Sequence, residues 1–161
     1  MDKISIERIQ TLHPSIRSKA ENDYLAANKL LPKNVRLRIT QAMRTWAEQE
    51  ELYAQGRTKK GKIVTNAKAG YSWHNYGLAI DICILFDTNN DGTFETASFK
   101  VDKYWMIVTN YLKSKGWNWG GDWKTFKDYP HFEITHGFSL SEARRRYMQR
   151  KFIPNTQYIT L

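Results

Sequence analysis

The chain has 161 residues, one cysteine, a formal net charge of +9 and 41% hydrophobic residues. That length suits one domain able to bury its own core, and a single thiol excludes internal disulfides. No apolar run approaches the length of a membrane span, so no transmembrane segment is expected.

Met1-Asp2-Lys3-Ile4-Ser5 opens polar and lacks the apolar core of a secretion signal, so synthesis in the cytosol is expected. Ile16, Ala20, Tyr24 and Ala27 form a helical stripe after Pro14, a residue favoured at a helix start. Val35, Leu37 and Ile39 alternate with Arg36 and Arg38 as in a strand, which delivers Arg44 to the next helix. That helix opens on a capping box, Thr45-Trp46-Ala47-Glu48, and stops at Gly56. The loop from Gly56 to Gly70 carries Arg57, Lys59, Lys60, Lys62 and Lys68, and no acid separates Glu51 from Asp81. A solvated surface is the default reading of such a run; a basic mouth that attracts an anionic substrate is the sharper one. The sign would suit nucleic acid too, but no nucleic-acid motif accompanies it, and no such partner is expected.

Ser72-Trp73-His74-Asn75-Tyr76-Gly77-Leu78-Ala79-Ile80-Asp81 pairs a histidine with an aspartate, and Asp128-Tyr129-Pro130-His131-Phe132-Glu133 adds a second histidine. Two imidazoles and a carboxylate form a three-ligand zinc set that leaves a position open for water, as catalytic zinc sites do. Zinc lowers the pKa of that water to roughly 7, and Asp128 is placed to act as its general base. The odd separation of His74 and Asp81 would put them on opposite faces of a straight strand, so Asn75-Tyr76-Gly77 must turn the chain. Leu78 to Phe86 then reads as a buried strand, with Ile80, Ile82, Ile84 and Phe86 on one face and Ala79, Asp81, Cys83 and Leu85 on the other. A carboxylate in such a strand should be paired or bind metal. Cys83 reads as a small buried hydrophobe, with zinc ligation as the lesser alternative. Glu133 shares a face with His131 and is placed to orient that imidazole. The bland reading of each residue is a satisfied core histidine or an ordinary ion pair; the combination favours metal.

Asp87-Thr88-Asn89-Asn90-Asp91-Gly92 has oxygen ligands at alternate positions, Asp87, Asn89 and Asp91, like the first half of a calcium loop. Ser98 stands where a bidentate glutamate belongs, so a hairpin turn is favoured over Ca2+. Trp105, Val108 and Leu112 mark a third helix, stopped by Gly116. Trp117, Trp119 and Trp123 either line a groove or pack in the core. A second capping box, Ser139 to Glu142, opens a basic C-terminal helix at about 139–151 bearing Arg144, Arg145, Arg146, Arg150 and Lys151. An ordinary solvated face is the favoured reading of that helix, binding to an anionic wall polymer the lesser one. Short strands bearing the metal motifs between helices indicate an α+β fold over residues 1–161, a small antiparallel sheet carrying a zinc site flanked by helices.

The motif S-x-H-x-x-G-x-A-x-D with the later acid-x-x-H element resembles the VanY-like D-alanyl-D-alanine metallopeptidase superfamily. Arg44-Thr45, Gln49, Leu52-Tyr53-Ala54-Gln55-Gly56-Arg57-Thr58 and Trp119-Gly120-Gly121-Asp122-Trp123 extend the likeness across most of the chain. It is greatest to the L-alanyl-D-glutamate peptidases of phage endolysins and autolysins. Many carboxypeptidase relatives carry Glu where Asp128 stands, which favours the endopeptidase subgroup. The resemblance implies a hedgehog/D-Ala-D-Ala peptidase-like fold and one Zn2+ on His74, Asp81 and His131. It also implies Asp128 as base, Arg44 at the oxyanion, and Ser72, Gln49, Trp119 and Asp122 in contact with substrate. The expected activity is hydrolysis of the L-alanyl-D-glutamate bond of peptidoglycan stem peptides by a monomer that reaches the wall by lysin-like release or a non-classical route. A D,D-carboxypeptidase, or a non-catalytic zinc-containing wall-binding module, is the alternative.

Overall fold

The computed structural model describes residues 2–161, so Met1 of the polar opening lies outside the described residues. The alternation at Val35, Leu37 and Ile39 produces strand β1 (Val35–Gln41), with those three side chains buried. β1 pairs antiparallel with β2 (Ala79–Phe86), setting Leu37 opposite Ile84 and Ile39 opposite Ile82. The other edge of β2 is shared. β5 (His131–Glu133) pairs with its start and β3 (Thr96–Ser98) with its end. β4 (Asn118–Trp119) closes the order β1-β2-β5-β4 beside β5. The small antiparallel sheet expected from the strand patterns is therefore present, with β2 at its centre.

Helices α2 (Pro14–Asn28), α3 (Trp46–Ala54) and α4 (Lys103–Ser114) occupy the anticipated stretches, and α5 (Leu140–Met148) begins where expected. Trp105, Val108 and Leu112 of α4 meet Ile16, Ala20 and Tyr24 of α2 and the Ile80, Ile82 and Ile84 face of β2 in one core. Burying a side chain of this size contributes about 1.5–3 kcal/mol. Thr45 and Glu48 form the reciprocal capping box at the start of α3. An additional helix, α1 (Lys3–Gln10), has no counterpart in the sequence reading. A polar contact anchors it: the Ser5 hydroxyl donates to Asp2 Oδ2 (2.6 Å) and accepts the Ile39 N–H (2.9 Å).

Two expectations need correction at α5. The Ser139 hydroxyl accepts the Glu142 N–H (3.2 Å), but the Glu142 carboxylate pairs with Arg145 (2.7 Å) and Arg146 (3.0 Å), whose charges outcompete a backbone amide for it. The helix also stops at Met148, leaving Arg150 (φ 52°) and Lys151 beyond it. The Asp87 segment is a hairpin turn between β2 and β3, as favoured. The Asp87 carboxylate accepts the N–H groups of Asp91 (3.1 Å) and Gly92 (2.8 Å). Among the described residues no helix is long and apolar enough to cross a membrane.

Candidate active site

The turn expected at Asn75-Tyr76-Gly77 is a short 3-10 helix, Trp73–Tyr76, ended by Gly77 at φ 68°. A Cβ on Gly77 would lie 2.6 Å from the His13 backbone nitrogen, so only glycine both makes the turn and admits that neighbour. Asn75 stitches the segment together: its amide donates to the Arg44 carbonyl (3.0 Å) and its oxygen accepts the Gly70 N–H (3.0 Å). The Arg44 N–H donates in turn to the His74 carbonyl (3.0 Å). His74 and Arg44 are thereby fixed to one another before any side-chain chemistry.

Strand register supplies the second half. Asp81 on β2 stands opposite His131 on β5, and Ala79 opposite Glu133. Across an antiparallel pair such partners share a face. His74 Nδ1 donates to the Ala42 carbonyl (2.7 Å), and His131 Nε2 bonds to Glu133 Oε2 (2.8 Å). Each imidazole is thus left with one nitrogen aimed at Asp81. His74 Nε2 and His131 Nδ1 lie 3.1 and 3.4 Å from Asp81 Oδ1, and 3.2 Å from one another. A tetrahedral zinc with bonds of about 2.0–2.1 Å requires ligand atoms about 3.3 Å apart. The donor set, spacing and outward hydrogen bonds therefore fit a zinc ion. It is the group of three such side chains found among the described residues, and Cys83 is not in it. Cys83 sits opposite Arg38, buried, with burial pushing its thiol pKa up.

Burial favours a neutral Asp81, but the charge and hydrogen bonds of His74 and His131 outweigh it and hold the carboxyl well below its ordinary range. Burial likewise opposes charge on His131, yet bonds to Asp81 and Glu133 raise it to about 9. The carboxylates of Asp81 and Glu133 thus favour positive charge on the ring between them. The site opens into a cleft of about 840 Å³ that Arg44, Ser72, Trp123, Lys127 and Asp128 also line. Burial and the Asp81 charge push the Asp128 carboxyl up, against the opposing pull of His131, His74 and Arg44. A carboxyl with raised proton affinity, in reach of a polarised bond, can take a proton. Arg44 Nη2 lies 3.9 Å from Asp81 Oδ2.

Three residues expected against substrate lie elsewhere. Gln49 is fully buried behind Arg44, accepting from its Nη1 (3.0 Å) and donating to the Ala67 carbonyl (2.7 Å). Trp119 is buried, stacked on Phe132, and donates its indole N–H to the Tyr129 carbonyl (2.7 Å). Asp122 is not among the residues lining the cleft and pairs with Lys113. Ser72 does line the cleft. Of the neighbouring indoles, Trp117 is buried on Asp23 (2.9 Å), whereas Trp123 faces the cleft with its ring 5.2 Å from that of His131. Residue type and spacing do not single out Lys127 or the Ala42 carbonyl. The first adjoins the Asp128 motif and so was within reach; a backbone carbonyl carries no signal of residue type.

Residues 65–134 match a family model described as D-alanyl-D-alanine carboxypeptidase. The peptidoglycan L-alanyl-D-glutamate endopeptidase CwlK of Bacillus subtilis is 45% identical over 130 residues, covering 76% of this chain and 73% of that protein. The L-alanyl-D-glutamate peptidase of Listeria phage A118 is 27% identical over 126 residues, 76% of this chain but 40% of the phage protein. The crystal structure of the Serratia marcescens L-Ala D-Glu endopeptidase ChiX superposes with a TM-score of 0.55 at 23% identity, covering 84% of this chain and 89% of that one, a likeness of fold. With a cleft of this make-up and a relative this similar over most of both chains, the protein belongs to the D-alanyl-D-alanine carboxypeptidase family of peptidases, which includes the L-alanyl-D-glutamate endopeptidases.

Proposed function

We propose that residues 1–161 form one zinc peptidase domain that hydrolyses the L-alanyl-D-glutamate bond of peptidoglycan stem peptides. The observation that carries the hydrolytic reading is the convergence of His74 Nε2, Asp81 Oδ1 and His131 Nδ1 in the cleft that also holds Asp128 and Arg44. The scissile bond is inferred from the 45% identical Bacillus relative. One zinc per chain, held by His74, Asp81 and His131, would supply Lewis acidity and a lowered water pKa.

The chain's own groups do the rest. Asp128 takes the proton of the attacking water and later returns it to the leaving amine of D-glutamate. Arg44, braced by Gln49, donates to the carbonyl oxygen as negative charge develops on it. Glu133 keeps the His131 ring turned with Nδ1 inward. Ser72 and Trp123 form wall against which the peptide lies. The chain acts as a monomer on the cell wall, reached by lysin-like release, a route that the phage origin of one relative supports.

A D,D-carboxypeptidase is the second reading, favoured by the description of the matching family model. Digestion of purified sacculi followed by mass spectrometry separates the two. New D-glutamate N-termini with L-alanine C-termini are expected. Release of terminal D-alanine alone would replace the proposal with the second reading, and intact sacculi from zinc-loaded protein would favour a binding module.

A further inference from the structure

We propose that Lys127 sets substrate specificity by pairing with the free carboxylate of the D-glutamate on the leaving side of the bond, an inference that rests on the endopeptidase reading. Glutamate has two carboxyl groups, and continuing the stem peptide uses only one. The other remains as an anion, or is capped as a carboxamide, within one residue of the bond that is cut. Arg44 and Lys127 are the cationic side chains lining the cleft. Arg44 is already engaged, bonded to Gln49 (3.0 Å) and 3.9 Å from Asp81. The Lys127 ammonium makes a single hydrogen bond, to the Gly121 carbonyl (2.7 Å), and has further protons to donate. The remaining charged groups of the cleft beside the imidazoles, Asp81, Asp128 and Glu133, are acids that repel a substrate carboxylate.

The position of this ammonium is built rather than incidental. A Cβ on Gly120 would lie 2.3 Å from the Asp128 carbonyl, and one on Gly121 would lie 2.3 Å from the Trp119 indole. The Asp128 N–H donates to the Gly120 carbonyl (3.1 Å). One tightly packed Gly-Gly turn therefore holds Asp128 by its backbone and Lys127 by its side chain. Holding the amine in advance lowers the entropy lost when a carboxylate docks on it.

The test compares two synthetic stem peptides, one with D-glutamate and one with its α-carboxamide, cleaved by the zinc-loaded parent, Lys127→Met and Lys127→Arg. The parent should prefer the acid by about tenfold or more in kcat/KM, mostly through KM, the size of a charge-assisted hydrogen bond. Lys127→Met should bring that ratio close to one, and Lys127→Arg should keep most of it. Equal cleavage of both peptides by the parent would overturn the role of Lys127 and leave the endopeptidase reading standing. So would a Lys127→Met variant that slows on both equally, because that is the signature of a changed field at neighbouring Asp128. Failure of the parent to cut either peptide at the alanyl-glutamate bond would overturn the endopeptidase reading itself. Zinc content and thermal melting of each variant establish that the site and fold are intact.

Discussion

Glu133 touches no cleft substrate directly in this reading, yet it determines which nitrogen of His131 faces Asp81. Outer carboxylates of this kind typically support metal affinity by about 10–100-fold. Glu133→Gln should therefore bind zinc more weakly by that factor in chelator competition, while His131→Ala loses the metal outright. Unchanged affinity in Glu133→Gln would remove Glu133 from the site. Asp128 acts on the proton and not on the ion. Asp128→Asn should keep full zinc content and the parent fold but lose two to four orders of magnitude in kcat, roughly the share of a general base. Wild-type turnover would exclude it as the base.

At the scale of elements, the sheet edge and α1 are joined by an ion pair. Arg38 Nη2 lies 2.7 Å from Asp2 Oδ1, and Asp2 is buried. Burial favours a neutral Asp2, but bonds from Arg38 and Ser5 and the Arg38 charge outweigh it and hold the carboxyl below its ordinary 3.8. A carboxyl whose folded pKa is depressed contributes stability above its unfolded pKa and loses it as pH falls through the folded value. Asp2→Asn should cost about 2 kcal/mol at neutral pH in denaturant melts. The gap between parent and variant should close as pH drops below 3.8. A gap that persists undiminished into acid would mean that shape, and not charge, ties α1 to β1.

Charge over the whole molecule bears on encounter with substrate. In the basic loop, Lys59 pairs with Glu51, and Arg57 is spent on the carbonyls of Tyr53 and Thr65, which fold the loop onto α3. Thr65, Asn66 and Ala67 of that loop line the cleft, which joins the basic stretch to the site through the chain itself. On α5, Glu142 already offsets Arg145 and Arg146. If the loop steers acidic stem peptides, activity on sacculi should fall as salt shortens the screening length from about 10 Å at 0.1 M to about 3 Å at 1 M. Neutralising Lys59, Lys60 and Lys62 together should flatten that dependence without changing zinc content. A full salt response in this triple variant, abolished instead by neutralising Arg145, Arg150 and Lys151, would assign the attraction to the C-terminal segment.

The strands at Val35 and Leu78, the capping box at Thr45 and the histidine and aspartate motifs were legible because each depends on spacing within a few residues. α1 was not, because Ser5 earns its place through Asp2 and through Ile39, which is 34 residues away. The candidate ligands could be named from residue type, since only certain side chains can hold zinc. Their aim could not: His74 is turned by the Ala42 carbonyl 32 residues earlier, a group every residue possesses. Packing likewise decided that Trp119 and Gln49 stand behind the cleft while Trp123 and Lys127 face it. Side-chain chemistry is a property of the residue, so it is written in the chain; orientation and exposure belong to contacts between distant segments, and exist only once the sheet and helices have closed on one another.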